Sequence, residues 1–428
     1  MDVVILGAGV AGLGAAYRLR EHSVNATVYE SADHWGGLCA SFSVNGFRFD
    51  TFGHISFDIH TRPWLEEKTG YNTYAPYALN YDAGHWLRHP LQEHLCDLPI
   101  DERIEIIESF VKREEGADRA EDYGQWLCRT YGRAFAEKYP YRYTRKYWTV
   151  EPDKLGTAWA QGRLGTLSLE QLLRGAMDDS LPSTHYSKAA NYPLRGGFQS
   201  FVEPLTFGTA IRCGKRASGI DPNEKRVIFS DGSEVSYEKL ISTIPLPELC
   251  GIVQSVPEEI RHAASRLVCT SGITVSIGLS RPDVAPAAWF YVYDDALLPS
   301  RINAPSFFSS DNAPLGFGCI QAEIYYSPFA PRRLPLSEVC MRCVDDMIKM
   351  GLFSEEEIVV ADVREHPYAN VIFTKDIYSS RKVVLDYMAE QGILCAGRFG
   401  SWDYLWVGQS LLSGFDAAEK VLRRMEIL

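Results

Sequence analysis

The sequence predicts an α/β protein whose dinucleotide-binding domain is assembled from both ends of the chain. The 428-residue chain opens on an apolar strand that runs into a glycine-rich turn. It closes on a second apolar strand, a glycine and a long helical pattern. Between the ends lie a helical segment and a long aromatic segment with the alternation of antiparallel strands. This order is typical of a nucleotide-binding domain interrupted by two insertions.

The first element is a strand, turn and helix with the spacing of a dinucleotide-binding fingerprint. An apolar run over residues 3–6 is followed by Gly7, Gly9 and Gly12. In this fingerprint the first glycine permits a sharp turn, the second lets a pyrophosphate approach the backbone, and the third lets the helix pack on the strand. The free N–H groups at the helix start favour phosphate. A second predicted strand ends at Glu30, whose carboxylate can accept both ribose hydroxyls, so we expect dinucleotide binding here.

The middle of the chain changes from helical to strand patterns. Residues 101–179 have helical periodicity, and the apolar face of the first helix is predicted to hold Ile104, Ile107, Phe110 and Val111. Residues 210–245 have the pattern of short strands, with a hairpin at Asp231–Gly232. Residues 270–280 and 287–326 alternate and indicate antiparallel sheet. The last helix is predicted to bury one face, made of Leu411, Leu412, Phe415, Ala418 and Val421.

These patterns predict three domains, two of them discontinuous. The nucleotide-binding domain is expected at 1–58, 193–262 and 387–428. A helical domain is expected at 97–182. An antiparallel-sheet domain that binds the substrate is expected at 59–96 and 263–386.

Composition and charge exclude several classes of function. The net charge of −12 argues against nucleic acid and acidic membrane surfaces as partners. Ten cysteines are scattered without a disulfide framework, and the pair Cys340 and Cys343 has no second pair at zinc spacing, so no metal site is expected. The chain opens directly on a core strand and has no apolar run of membrane length. We therefore expect a cytoplasmic protein.

Several spaced elements together favour FAD over NAD as the dinucleotide. They are the opening fingerprint, the pair Gly36–Gly37, the late hairpin before residues 242–245, and Gly397–Arg398 leading into the last helix. This arrangement resembles the glutathione-reductase-type FAD fold shared by amine oxidases and UDP-galactopyranose mutases. The resemblance implies noncovalent FAD in a discontinuous Rossmann-like domain, with an inserted helical domain and an antiparallel β-sheet domain. The cofactor-binding residues it implies are Gly7, Gly9, Gly12, Glu30, Gly36, Gly37, Gly53, Gly397 and Arg398.

Further strings resemble the UDP-galactopyranose mutase family, and its eukaryotic-type branch in particular. Residues 50–54 resemble the glycine–histidine segment of that family, and residues 397–404 are the most specific string. Residues 89–92 and 147–163 resemble its proline–glutamine and tryptophan segments. Within residues 289–301, Tyr291 and Arg301 are separated as a tyrosine and an arginine are in the eukaryotic-type branch. The likeness is discontinuous but covers most of the chain.

The resemblance implies roles for individual residues in these strings. Arg163 and Arg301 match the arginines that hold the substrate diphosphate, and guanidinium groups supply charged, bidentate donors for such a ligand. His54 is expected beside the flavin. The implied substrate-binding residues are Tyr291, Tyr404, Gln92, Trp148, Trp159 and Gln409. For the two tryptophans structural packing is the favoured interpretation, and for Gln92 a plain surface position is at least as good an interpretation as contact with the nucleotide.

The chain also departs from the pattern of the family. His89 replaces the usual tyrosine of the nucleotide-side segment, and Gly408 stands where an asparagine is usual. Ser187 lies near another position where the eukaryotic-type enzymes carry asparagine. These departures leave room for another nucleotide, another sugar or a changed reaction.

The activity implied by the resemblance is the interconversion of pyranose and furanose forms of a UDP-galactose-like sugar, through an adduct between the sugar and N5 of reduced FAD. The expected partners are the nucleotide sugar and, as a candidate reductant, NAD(P)H, whereas the oligomeric state stays open. One alternative is an FAD-dependent oxidase or dehydrogenase of the amine oxidase type, acting on an amine, a porphyrin-like or another apolar substrate. The pair Tyr291 and Arg301 argues against it, because an apolar substrate needs no such charge. A second alternative is a non-catalytic flavin-binding scaffold.

Overall fold

The computed structural model describes residues 2–57, 65, 68–75, 77–160, 164–182 and 189–426. Within these ranges the helices are α1 Val10–Glu21, α2 Ile100–Val111, α3 Tyr123–Tyr131, α4 Arg133–Lys138, α5 Pro140–Tyr147, α6 Leu169–Met177, α7 Leu246–Ile252, α8 Glu258–Ser265, α9 Pro305–Phe308, α10 Leu336–Lys349, α11 Ile377–Glu390, α12 Gly397–Gly400 and α13 Val407–Arg424. The strands are β1 Val3–Leu6, β2 Ala26–Tyr29, β3 Ser41–Val44, β4 Phe47–Asp50, β5 Tyr71–Tyr74, β6 Ala78–Asp82, β7 His85–Arg88, β8 Ala190–Pro193, β9 Ala210–Arg212, β10 Ala217–Asp221, β11 Arg226–Phe229, β12 Glu234–Ser236, β13 Lys239–Ser242, β14 Cys269–Leu279, β15 Trp289–Val292, β16 Arg301–Asn303, β17 Gly318–Tyr326, β18 Ile358–Val371 and β19 Ile393–Cys395.

A five-stranded parallel sheet joins the two ends of the chain. Its order is β19-β13-β1-β2-β9, so strands from the start, the middle and the end of the sequence lie side by side. Every residue of β1 is buried, as its continuous apolar run predicts. Helices α1 and α13 pack so closely that a Cβ on Gly414 would lie 2.1 Å from the carbonyl oxygen of Ala11. The α/β class predicted from the sequence is confirmed.

A seven-stranded sheet forms the second layer of strands. Its order is β18-β14-β17-β16-β15-β6-β7, and its pairs are antiparallel except for β15 with β6, which run parallel. The parallel pair departs from the purely antiparallel sheet expected from the sequence. It arises because β6 comes from a distant part of the chain and joins the edge of β15. Strand β5, from the same segment as β6, instead pairs with β8 in a separate two-stranded sheet.

The segment between residues 100 and 177 is helical, as predicted, but the apolar face of α2 is only partly the predicted one. Phe110 is buried and Ile107 packs on the core, as predicted. Ile104 and Val111 are instead 49% and 60% exposed, and Ile106, which was not predicted, is buried. Residues four apart share a helix face, and positions 104 and 111 lie on the side away from that face. In α13 the prediction fails only at Leu412, which is 39% exposed.

The remaining strands form small sheets beside the two large ones. Strands β10, β11 and β12 make a three-stranded antiparallel sheet whose β11–β12 hairpin turns at Asp231–Gly232, as predicted. The exact domain boundaries proposed from the sequence stay a prediction. None of the helices in the described part of the chain is long and apolar enough to cross a membrane.

Candidate functional site

A cavity of about 650 Å³ lies against the seven-stranded sheet, the helices α3 to α5 and the segment 52–57. Its walls are mainly aromatic. The residues predicted from the sequence that line it are Gly53, His54, Gln92, Trp148, Trp159, Tyr291, Arg301, Arg398 and Tyr404. These residues come from distant parts of the chain, and the fold brings them to one site.

Arg301 is held by an ion pair with a buried carboxylate. Its Nε donates to Glu323 Oε2 at 3.0 Å, and its Nη2 donates to Glu323 Oε1 at 3.0 Å. The side chain of Glu323 is 0% exposed and that of Arg301 is 24% exposed. The pair forms because the two residues stand opposite each other in the register of β16 and β17. The guanidinium therefore has a fixed orientation at the cavity wall, with a neutralising charge directly behind it.

The Gly53 peptide is fixed by the same ion pair. Its N–H donates to Glu323 Oε1 at 2.8 Å, and its carbonyl oxygen accepts from Arg301 Nη2 at 3.5 Å. A Cβ at this position would lie 2.7 Å from Asn303 Nδ2 and 3.1 Å from Glu323 Oε1. Glycine is therefore required here by close approach to the sheet. The glycine–histidine segment and the arginine form one connected unit.

His54 follows in this segment and is held as a neutral imidazole. Its Nδ1 lies 2.7 Å from the carbonyl oxygen of Phe52, so this nitrogen carries the proton that the carbonyl accepts. Burial lowers the pKa of His54 to about 4. The other ring nitrogen, Nε2, is then an acceptor at neutral pH.

Two predicted tyrosines line the same cavity as Arg301. Tyr291 is the register partner of Arg301 across β15 and β16, and its hydroxyl accepts from Trp289 Nε1 at 3.2 Å. The ring of Tyr404 lies 6.0 Å from that of Trp148 and 5.8 Å from the Arg398 guanidinium. Trp148 and Trp159 are in turn packed against each other at 5.0 Å, so both serve at least as packing residues behind Tyr404.

The glycine fingerprint forms a second part of the site, at the carboxyl ends of the parallel strands. Gly7 has φ +97°, and a Cβ on Gly12 would lie 2.0 Å from the Gly7 carbonyl oxygen. A Cβ on Gly9 would meet no atom within 4 Å. This space lies at the start of α1, where no side chain from the described residues caps the helix and the first N–H groups have no helical partner. An open surface of free N–H groups at a helix N-terminus fits a pyrophosphate.

The other predicted cofactor residues surround this helix start. Gly36 forms a bridge with Gly9, and Gly36 and Gly37 both have positive φ. Gly397 also has positive φ, and its Cβ position lies 2.9 Å from the Ala11 side chain. Arg398 donates from Nε to the carbonyl oxygen of Leu405 at 2.9 Å and also lines the aromatic cavity. The chain thus passes from the helix start at Gly397 directly to the aromatic cavity at Arg398.

Glu30 lies at the end of β2, where the ribose of a bound dinucleotide is expected. Its Oε2 accepts the Ala8 N–H at 2.7 Å and its Oε1 accepts the Ala32 N–H at 2.8 Å. These bonds orient the carboxylate within the glycine turn. Oε1 also accepts the Ser31 hydroxyl at 3.1 Å, whereas Oε2 can accept a further hydrogen bond.

One predicted substrate-binding residue, Gln409, does not line the described part of the cavity. Gln409 is exposed and its Oε1 accepts the Trp406 N–H at 2.9 Å, so it caps the start of α13. Arg163 lies outside the described residues, as does Ser187. The departures His89 and Gly408 both line the cavity, and the His89 ring packs at 4.9 Å on that of Tyr291.

Sequence reasoning missed Glu323, Asn303 and Tyr143, all of which contribute to the site. The sequence does contain an indication of Glu323. This residue is the only acidic one in β17, whose other residues are apolar or uncharged. The alternation of side chains along a strand places it on the same face as Gln321 and Tyr325. A charge on a buried strand face is expected to have a partner.

Comparisons with known proteins agree with this arrangement. Residues 5–67 match the family model of the NAD(P)-binding Rossmann-like domain. One short segment is similar to a 1-hydroxycarotenoid 3,4-desaturase of Flavobacterium. It is 35% identical over 63 residues, or 13% of each chain. Another is similar to the mitochondrial protoporphyrinogen oxidase of Nicotiana tabacum, 46% identical over 48 residues, or 11% of this chain and 10% of the relative. The matches thus span about a tenth of the length of these curated relatives.

Solved structures match over the whole chain. A putative protoporphyrinogen oxidase from Exiguobacterium is 17% identical, with a TM-score of 0.75 and 99% of both chains covered. A reduced UDP-galactopyranose mutase is 24% identical, with a TM-score of 0.92, covering 99% of this chain and 96% of the other. The chain therefore shares its fold with both of these proteins. In particular, the chain has the fold of UDP-galactopyranose mutase.

Proposed function

We propose that this protein is a flavin-dependent nucleotide-sugar mutase, which interconverts pyranose and furanose forms of a UDP-galactose-like sugar. The observation that carries the proposal is the full-length similarity to reduced UDP-galactopyranose mutase, at a TM-score of 0.92. It is supported by a cavity in which Arg301, Tyr291 and Tyr404 lie together beside the Gly53–His54 segment. Guanidinium and phenol groups are suitable donors for a diphosphate.

The proposed cofactor is noncovalent FAD, active in its reduced form. Its pyrophosphate would lie on the α1 N-terminus at Gly9, and its ribose would lie near Glu30, because these groups offer free N–H donors and a carboxylate. Gly53, His54 and Arg398 would bound the end of the site where the two parts meet. When bound, reduced FAD supplies an electron-rich centre at which an activated sugar is detached and rejoined without net oxidation.

The chain's own residues would bind the substrate, orient it and retain its leaving group. Arg301, fixed by Glu323, would donate to the diphosphate oxygens and stabilise the charge that develops on them. Tyr291 and Tyr404 would add neutral donors, and the aromatic walls would exclude water. Arg163 is proposed as a second guanidinium from the sequence resemblance alone. No side chain is assigned as a general base.

The test uses the purified protein with FAD, reduced by dithionite and incubated with UDP-galactopyranose. The proposal expects a furanose product, identified by the ring size in NMR spectra, and no product with air-oxidised protein. A protein that takes up no FAD, or that leaves every nucleotide sugar of a panel unchanged when reduced, would contradict the proposal.

A flavin-dependent oxidase or dehydrogenase is the second candidate function. Two observations favour it: the short sequence matches are to a desaturase and an oxidase, and Glu323 neutralises the charge of Arg301 in a mainly aromatic cavity. Substrate-dependent formation of hydrogen peroxide by the oxidised protein would support this candidate over the mutase.

A further inference from the structure

Asp50 ends strand β4 as a buried carboxylate for which the site described above has no role. The residue is 3% exposed. Its Oδ1 accepts the Ser41 hydroxyl at 2.6 Å and the Phe198 N–H at 2.9 Å, and its Oδ2 accepts the Tyr192 hydroxyl at 2.8 Å. Arg48, the basic residue of the same strand, pairs with another carboxylate. Because a buried charge is costly without a counter-charge, an acid at this position indicates a specific task.

One of the three donors connects Asp50 to the wall of the cavity. The Phe198 ring is fully buried, and its centroid lies 5.2 Å from that of His54 with the planes 32° apart. Gly197, the residue before, has φ +72°, and a Cβ on it would lie 3.0 Å from Asp50 Oδ1. The glycine thus lets the backbone turn close enough to aim the Phe198 N–H at the carboxylate. Phe198 in turn supports the His54 imidazole from the protein core.

The main chain around Asp50 is held by other groups. Gln321 Nε2 donates to the Asp50 carbonyl oxygen at 2.9 Å, and Glu323 accepts the Gly53 N–H at 2.8 Å. Both side chains lie on the same face of β17. The backbone of residues 50–53 is therefore fixed to the sheet without the Asp50 carboxylate. Removal of the carboxylate is expected to act on Phe198 rather than on this backbone.

The orientation of the His54 ring determines which of its nitrogens carries the proton. Nδ1 lies 2.7 Å from the Phe52 carbonyl oxygen, and a hydrogen bond between them requires a narrow range of ring rotation. A neutral imidazole without such a contact populates both tautomers. The Phe198 ring limits this rotation because it packs on the imidazole.

From these contacts we infer that Asp50 is a positioning residue for His54. Its carboxylate holds the Phe198 backbone, and the Phe198 ring holds the imidazole on the Phe52 carbonyl. Nε2 is thereby kept as the acceptor at the cavity wall. The inference rests on the proposed function only in the expectation that His54 lies beside a flavin. Asp50 itself does not line the described part of the cavity.

The test determines the tautomer of His54 by nitrogen NMR in FAD-loaded protein labelled at histidine, at neutral pH, with the signals assigned by His54→Gln. Burial raises the pKa of Asp50 to about 6 and lowers that of His54 to about 4, so at neutral pH Asp50 is ionised and His54 is neutral. The wild-type protein should show the Nδ1–H form alone. Asp50→Asn should show both tautomers, and its Phe198 amide should exchange with solvent about tenfold faster, because the bond to a charged acceptor is lost.

Two further variants keep the test specific. Asp122→Asn changes a second buried carboxylate that accepts a backbone N–H, that of Gln125 at 2.9 Å, and it should leave His54 in a single tautomer. Phe198→Leu keeps the backbone N–H and removes the ring, so it should release the imidazole even if Asp50→Asn does not fold. In the double variant of Asp50→Asn and Phe198→Leu the two effects should not add, because both act through one contact.

A single Nδ1–H form in Asp50→Asn or in Phe198→Leu would overturn the inference while leaving the proposed function untouched. A mixture of tautomers in the wild-type protein would overturn it as well, and so would an equal mixture in Asp122→Asn, which would indicate a general loosening of the fold. If the wild-type protein takes up no FAD, the proposed function fails. The tautomers of His54 in the apoprotein variants then decide the inference by the same comparison.

Discussion

Arg301 and Glu323 stand opposite each other in adjacent strands, and an ion pair joins them. The pair orients the guanidinium of Arg301, which is the only guanidinium that the sheet contributes to the described part of the cavity wall. The same carboxylate accepts the Gly53 N–H and the Tyr325 hydroxyl. One buried charge thus fixes a cation, a loop peptide and a phenol. The consequences can be tested at each of these groups.

Replacing Glu323 by glutamine should weaken both stability and ligand binding. The amide keeps the shape but leaves Arg301 without its counter-charge, which predicts a loss of about 3 kcal/mol in the free energy of unfolding. It also frees the guanidinium to move, so the KM for the nucleotide sugar should rise about tenfold. Urea unfolding and steady-state kinetics measure the two effects.

The matched control is Glu365→Gln, which changes a partly exposed carboxylate on strand β18 of the same sheet. This variant should have the same free energy of unfolding and the same KM as the wild-type protein, within experimental error. Equal KM values for Glu323→Gln and the wild-type protein would show that Arg301 needs no positioning.

Replacing Gly53 by alanine should displace the loop peptide from the sheet. The new Cβ would lie 2.7 Å from Asn303 Nδ2, so either the loop or the asparagine must move. Turnover should fall by at least tenfold, and the added change Asn303→Ala should restore part of it by making room. Gly251→Ala is the control, because a Cβ there meets no atom within 4 Å. Failure of the double variant to recover activity would argue against a steric cause.

Gly9 and Gly12 should respond differently to alanine, although both belong to one fingerprint. A Cβ on Gly9 enters open space, so Gly9→Ala should fold normally and lose FAD affinity. A Cβ on Gly12 would lie 2.0 Å from the Gly7 carbonyl oxygen, so Gly12→Ala should lower the free energy of unfolding even without FAD. Thermal unfolding of apoprotein and fluorescence titration with FAD distinguish the cases. Unimpaired FAD binding by Gly9→Ala would place the pyrophosphate elsewhere.

His54 should contribute a pH dependence of stability in the acid range. Its pKa is lowered to about 4 in the folded protein, compared with about 6.5 in an unfolded chain. Between these values the unfolded chain binds a proton that the folded protein does not, so this contribution falls as the pH drops from 6.5 to 4. Between pH 6.5 and pH 4 the free energy of unfolding of the wild-type protein, measured by urea unfolding, should fall by about 2 kcal/mol more than that of His54→Gln. His262→Gln, on the exposed face of α8, should behave as the wild type.

The sequence was sufficient for the parts of the molecule that depend on local pattern. The glycine turn after β1, the Asp231–Gly232 hairpin and the amphipathic α13 all follow from residues near one another in the chain. The resemblance to a known family added Tyr291 and Arg301, which do lie in one cavity.

The rest depends on contacts between distant segments. That Glu323 faces Arg301 follows from the register of β16 and β17, which the alternation of either strand alone does not determine. The buried face of α2 was predicted only in part, because Ile104 and Val111 are as apolar as the buried Ile106, and only packing decides which of them is covered.

Whether the cavity is a diphosphate-binding mutase site is decided by the ring size of the product formed from UDP-galactofuranose by dithionite-reduced protein, with Arg301→Ala measured beside it. We expect conversion to the pyranose by the wild-type protein and at least a hundredfold lower kcat/KM in the variant. If the reduced, FAD-loaded wild-type protein leaves the sugar unchanged, or if the variant converts it equally well, the assignment of this cavity as a diphosphate-binding mutase site is contradicted.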